Sequence, residues 1–251
     1  MENFKKIFSD KNALIVYVTM GDPALGKNPA TLLKELEKNG ADLIELGIPF
    51  SDPLADGPVI QASHNRALKK NITIDKIAGW VRQFRKTSKL PLVIMADYNL
   101  IYNYGIPKYT SVCKKLGIIG SIIPNLPIEE SKRAHFKNHT LIQLIAPTTD
   151  KIRQKEIIKK SKGFIYYISI AGLTGPRKKI RTGLIKEIKA LKKQTKLPVA
   201  VGFGIANPAQ AKEVIKYADG VIIGSALINE IKKGTGWKKY IRRMKNALSR
   251  S

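Results

Sequence analysis

Alternation is the feature that most limits the fold. Eight short apolar runs rich in β-branched residues recur along the chain: Leu14–Val18, Leu43–Leu46, Leu92–Met95, Ser121–Ile123, Leu141–Ile145, Phe164–Ile168, Val199–Val201 and Val221–Ile223. Lysine-rich segments separate them. These carry apolar residues at helical spacing, such as Leu32, Leu33 and Leu36, or Ile74, Ile77, Val81 and Phe84. Short continuous apolar runs predict strands buried on both faces, and stripes three and four residues apart predict the helices that cover them. Asn28 before Pro29 and Asn207 before Pro208 mark helix starts, an Asx cap followed by the residue whose missing N–H costs nothing there. Eight such units in 251 residues predict an α/β chain of the (β/α)8 TIM-barrel class, one domain over residues 1–251. An open doubly wound sheet would alternate in the same way, but nothing signals a reversal of strand order. The gap between the second and third runs leaves room for an excursion over residues 52–72, and Trp237–Ser249 reads as a closing amphipathic helix.

Composition narrows the setting. No apolar run approaches the ~20 residues that span a bilayer, so no membrane role is expected. The start, Met1-Glu2-Asn3-Phe4-Lys5-Lys6, lacks the apolar stretch of a secretory signal, and Cys113 is the only cysteine, so a reducing cytoplasm is expected. Forty-five Lys and Arg against 19 Asp and Glu give a net charge of +26. That excess would suit a polyanion binder. Thirty-five of the cations are lysines, whereas base and phosphate readout leans on arginine forks, and they are spread over nearly every helical segment. A solvated lysine surface is the preferred reading, with no specific nucleic acid as partner.

The few acids are placed informatively. Asp22, Asp52, Asp56 and Asp97 follow the first three strands, where a barrel builds its site. Glu45 instead interrupts an apolar strand between Ile44 and Leu46. Burial raises a carboxyl pKa and suits a general acid or base near neutrality; the alternative is a structural Glu paired with a core cation. The stretch Pro49–Pro58 holds three prolines and two aspartates and reads as a stiff clamp over the barrel mouth. Turn chemistry is the plainer role for Asp52 and Asp56, and no companion ligand stands at metal spacing, so no metal is expected.

Glycines mark the opposite side of the mouth: Gly172 and Gly175 after the sixth strand, Gly202 and Gly204 after the seventh, and Gly224-Ser225 opening a helix after the eighth. Backbone amides that approach closely, with a helix start beside them, predict a phosphate cradle. His135 and His139 stand four apart, which could hold zinc, but a solvated helix face is the simpler reading; His64 reads as a surface residue and Cys113 as core packing. Tyr98, Tyr102 and Tyr104 suit an apolar lid or an interface.

Glu45 followed by Leu46-Gly-Ile-Pro-Phe-Ser-Asp-Pro-Leu-Ala-Asp-Gly-Pro58 resembles the signature of the tryptophan synthase alpha subunit family. Val18-Thr-Met-Gly-Asp-Pro23, Gly172-Leu-Thr-Gly175, Gly202-Phe-Gly-Ile205 and Ile223-Gly-Ser-Ala226 follow in the family's order, so the likeness covers essentially the whole chain. It implies a (β/α)8 barrel that cleaves indole-3-glycerol phosphate to indole and glyceraldehyde 3-phosphate. By resemblance Glu45 is the acid/base that protonates indole C3 and then takes the glycerol hydroxyl proton. Asp56 holds the indole N–H, and Tyr166 helps to place acid and substrate. Thr174 closes its loop onto the Asp56 loop. Gly175, Phe203, Gly204, Gly224 and Ser225 cradle the phosphate, and Tyr17 walls the indole pocket. The resemblance also implies an α2β2 assembly with a beta subunit that carries pyridoxal phosphate, this chain holding no cofactor itself.

Three places depart from the family pattern. Asn125 stands where Asp is usual, which loses a charge near the mouth; Asp97 replaces an aromatic or small residue; and the loop Ile170–Arg177 begins apolar. A different phosphate-binding barrel, such as a sugar-phosphate isomerase, would explain the glycines but not the proline-rich loop. A subunit that only activates its partner would not need both Glu45 and Asp56.

Overall fold

The computed structural model describes the chain except Met1, Lys11, Leu54, Ala55, His135, residues 170–179, Phe203, Arg250 and Ser251. Eight parallel strands close on themselves in sequence order: β1 (Ala13–Thr19), β2 (Leu43–Gly47), β3 (Leu92–Met95), β4 (Ile118–Ile122), β5 (Leu141–Ile145), β6 (Ile165–Ile168), β7 (Val199–Gly202) and β8 (Gly220–Ile223). The expected barrel is therefore present. β4 begins three residues before the expected run, because Ile118 pairs with Leu92 and Gly120 with Val93, the register shifting past Ile119 between them.

The described helices are α1 (Glu2–Ile7), α2 (Pro29–Lys38), α3 (Pro58–Leu68), α4 (Ile74–Arg85), α5 (Tyr98–Tyr104), α6 (Ile106–Lys115), α7 (Glu130–Arg133), α8 (Lys151–Lys160), α9 (Leu184–Lys192), α10 (Pro208–Ile215), α11 (Ser225–Lys232) and α12 (Trp237–Leu248). The excursion over residues 52–72 thus contains a helix of its own, α3, ahead of the expected α4. Asn28 caps α2 by accepting the Ala30 N–H at 2.9 Å, and Asn207 caps α10 by accepting that of Gln210 at 3.0 Å. Apolar stripes face the barrel as the spacing predicts: Leu33 and Leu36 of α2, Val81 and Phe84 of α4, and Ile241, Met244 and Leu248 of α12 are all buried.

Inside the barrel, alternate residues fill the axis. Ile15, Leu43, Val93, Ile122, Ile142, Tyr166, Ala200 and Ile222 form one cluster with Phe4 and Phe8. The two phenylalanines stop the N-terminal end of the barrel, their rings 6.1 and 5.3 Å from that of Phe164. Strands are in register so that Tyr17 of β1 lies beside Glu45 of β2, and Glu45 beside Val93 of β3. Each stands two residues beyond a core position of its own strand (Ile15, Leu43), so both side chains point inward at the next level toward the C-terminal mouth.

Candidate active site

Glu45 is fully buried, and neither carboxylate oxygen has a hydrogen-bond partner among the described residues. Burial alone pushes its pKa up to about 8. A core cation would have lowered it, and among the described residues none pairs with Glu45, which argues against a structural ion pair. Around neutral pH this carboxyl carries its proton.

Asp56 sits on the loop that joins β2 to α3. The loop is held by its own turn, Asp56 N–H donating to Pro53 O at 3.0 Å, and by Gln61 of α3, whose amide donates to Asp56 O at 2.7 Å. Turn formation and a role at the mouth are therefore compatible. Its side chain is 14% exposed, and burial raises its pKa to about 6. Asp56 is thus ionised where Glu45 is neutral. Asp52, on the same loop, is exposed.

Tyr17 and Tyr166 complete the group. Both are buried, and the pKa of each lies well above the ordinary tyrosine value, first through desolvation and then through the nearby Asp56 and Glu45 carboxyls. All four side chains therefore share one electrostatic environment. Two glycines make room for the rings: a Cβ at Gly47 would stand 2.2 Å from Tyr17 Oη, and one at Gly202 2.6 Å from Tyr166 Oη.

A cavity of about 270 Å³ opens beside this group, with Tyr17, Asp56, Met95, Asp97 and Asn125 in its wall. Glu45 and the glycines are not among its lining residues. At the far side, Gly204 has a φ of +88°, and Gly224 precedes α11, which opens with the buried Ser225. The first-turn amides of a helix have no partner within it, so this end suits an anion. Gly175 and Phe203 of the expected cradle, Thr174 of the expected loop closure, and the Ile170–Arg177 loop lie outside the described residues.

A family model of the tryptophan synthase alpha chain matches residues 4–250. The chain belongs to the tryptophan synthase alpha chain family. The alpha chain of Thermoanaerobacter sp. strain X514 is 44% identical over 243 residues, covering 95% of this chain and 92% of the relative. That of Petrotoga mobilis is 42% identical over 256 residues, 99% of either chain. Among solved structures, the tryptophan synthase alpha chain of Legionella pneumophila superimposes with a TM-score of 0.86 at 36% identity, covering 98% of this chain and 95% of that one.

Against the family pattern, the departures at 97 and 125 belong together. Asn125 Nδ2 donates to Asp97 Oδ2 at 2.9 Å, while Asn125 Oδ1 accepts the Tyr98 N–H at 2.9 Å. Asp97 also caps α5 through the Asn99 N–H. Asp97, on the loop after β3, thus sets a carboxylate beside the neutral Asn125. Asp22 is not free for chemistry: it is 2% exposed, accepts two bonds from Arg66 at 2.8 and 2.6 Å and one from Ser63, and ties the β1 loop to α3.

Three other expectations change or gain detail. His64 is not a surface residue; it is 4% exposed, because α3 turns Ile60, Ser63, His64 and Ala67 toward the barrel. Its polarity hid it, although its spacing from Ile60 and Ala67 is that of a buried stripe. His139 is not on a solvated helix face: α7 ends at Arg133, and a turn with positive φ at Asn138 brings His139 Nε2 within 2.8 Å of Ser121 Oγ. His135 lies outside the described residues, and no cluster of three or more potential metal ligands occurs among those described. Cys113 is core, its thiol pushed up to about 12 by burial.

Proposed function

We propose that the chain cleaves indole-3-glycerol phosphate to indole and glyceraldehyde 3-phosphate, as a carbon–carbon lyase and the alpha partner of a tryptophan synthase. The observation that carries this reading is the opposed ionisation of two carboxyls beside one cavity: Glu45 with a pKa of about 8 and Asp56 with one of about 6. Between those values one group can donate a proton while the other bears a charge, the division of labour that acid–electrostatic catalysis needs.

In this reading Glu45 gives its proton to indole C3, which makes the ring a cationic electron sink. Asp56 accepts the hydrogen bond of the indole N–H and offsets the positive charge that develops there. The Glu45 carboxylate then takes the proton of the glycerol hydroxyl next to the ring. That oxygen becomes the aldehyde, the carbon–carbon bond breaks, and its electron pair returns to the ring as neutral indole. Glu45 ends protonated, ready for the next turn. Tyr17 and Tyr166 wall the pocket and orient acid and ring. Gly204, Gly224 and Ser225 offer backbone amides to the phosphate beside the start of α11, and the resemblance adds Gly175 and Phe203 to them.

The partner would be a beta subunit carrying pyridoxal phosphate, in an α2β2 assembly that receives the indole. Cytoplasmic residence fits a chain in which no described helix is long and apolar enough to cross a membrane. The test is direct: purified chain with indole-3-glycerol phosphate, with and without beta subunit, following indole. Slow release by the chain alone and faster release in the complex are expected; no indole in either would overturn the reading.

A further inference from the structure

One buried ionisable side chain borders the site and has no part in the steps above. His64 lies in α3, which begins directly after the Asp56 loop. Its Nδ1 accepts the Phe50 N–H at 2.9 Å. A backbone amide can only donate, so Nδ1 carries no proton and the ring's single N–H is on Nε2. That nitrogen lies 3.0 Å from Tyr17 Oη and 3.6 Å from Asp56 Oδ2. The Tyr17 hydroxyl has a second neighbour, Thr19 Oγ1 at 3.3 Å. The imidazole's one donor is thus placed between the pocket tyrosine and the Asp56 carboxylate.

We propose that His64 is a positioning residue: anchored at Nδ1 on the Phe50 amide, it directs its Nε2–H at Asp56 and holds that carboxylate ionised and facing the cavity. This rests on the reaction proposed above. The Nε2–H meets Tyr17 Oη at 3.0 Å, and an approach of well under 1 Å by the Asp56 carboxylate lets the same N–H be shared with Oδ2, now 3.6 Å away. Such a bond to the charged form of a carboxyl favours that form. Burial holds the imidazole pKa down at about 4, so His64 stays a neutral donor across the working range. The other ionisable groups around it are Tyr17 of β1, Asp22 of the β1 loop, already held by Arg66 and Ser63, and Glu45 of β2 beyond the Tyr17 ring. Of these Tyr17 carries a donor, and its hydroxyl meets His64 Nε2 and Thr19 Oγ1.

Two substitutions separate this role from simple packing. His64→Asn keeps an acceptor near the Nδ1 position for Phe50 but has no donor that reaches Asp56. His64→Gln keeps the reach of the donor and gives up the anchor. Carbon-13 NMR titration of the Asp56 carboxyl in the full chain reads the effect without turnover. The expected result is a rise of about one pH unit in His64→Asn and little change in His64→Gln. The acidic limb of kcat/KM in the beta complex should move equally, a roughly tenfold loss at the foot of that limb. An Asp56 titration unmoved in a folded His64→Asn, or equal shifts in both variants, overturns the proposal. If the titration moves as expected while the parent makes no indole with the beta subunit, the reaction is wrong and the His64 contact stands.

Discussion

The Tyr17 hydroxyl occupies the space that a side chain at Gly47 would need: a Cβ there would lie 2.2 Å from Oη and 2.5 Å from Cζ. Both strands are in the barrel wall and paired, so neither backbone can retreat. Gly47→Ala should therefore expel the ring from its place above the core. We expect a stability loss of about 1–3 kcal/mol, the usual cost of overpacking, and a large fall in turnover. Thermal unfolding checks the first part. In a Tyr17→Leu background the same Gly47→Ala change should cost much less, and equal costs in the two backgrounds would show that the ring is not what Gly47 accommodates.

Cleavage should follow a bell-shaped pH profile. Asp56 must be ionised and Glu45 protonated, so kcat/KM should rise through about 6 and fall through about 8. Glu45→Gln keeps the shape but cannot pass a proton, and turnover should drop by orders of magnitude with substrate still bound. Asp56→Asn should cripple the chemical step in single-turnover experiments, because a neutral amide does not offset the ring's charge.

Glu45 also makes stability depend on pH. Unfolded, its carboxyl titrates near 4.3; folded, it keeps its proton up to about 8. Between these values the folded state binds a proton that the unfolded state has released. The Glu45 contribution is therefore complete below the lower value and is lost as pH rises through the upper one. Glu45→Gln should unfold at nearly the parent's temperature at pH 5 and at a higher one at pH 9. A parallel loss in both proteins between those pH values would remove Glu45 as the cause.

Tyr102 is 64% exposed on α5, its ring tilted against that of Tyr98 with centroids 5.9 Å apart. An aromatic pair on the rim of the mouth fits a protein interface. Tyr102→Ala should weaken association with the beta subunit and the activation that follows, leaving basal cleavage nearly unchanged. Unaltered beta binding by calorimetry, with basal cleavage lost, would place these tyrosines in the pocket instead.

The barrel was legible because each strand is a short, mostly apolar run and each helix a lysine-flanked stripe; the largest displacement is at the start of β4, three residues before the expected Ser121. Glu45 was legible for the opposite reason, as a charge inside such a run. His64 was not. A polar residue on a helix is ordinarily solvated, and only the three-dimensional path of α3 across the barrel mouth, fixed by Asp22 and Arg66 from separate segments, turns it inward. The Asp97–Asn125 pair was likewise invisible, since two unusual residues 28 apart show their relationship only when β3 and β4 lie side by side.

Phe4 and Phe8 have a consequence for traffic. With their rings wedged against Phe164 at the N-terminal end, the barrel is a cul-de-sac: nothing the size of a bicyclic ring passes along its axis. Whatever enters at the mouth must leave by the mouth. Substrate and both products then queue at one doorway, and a protein seated on that doorway would decide which of them goes where.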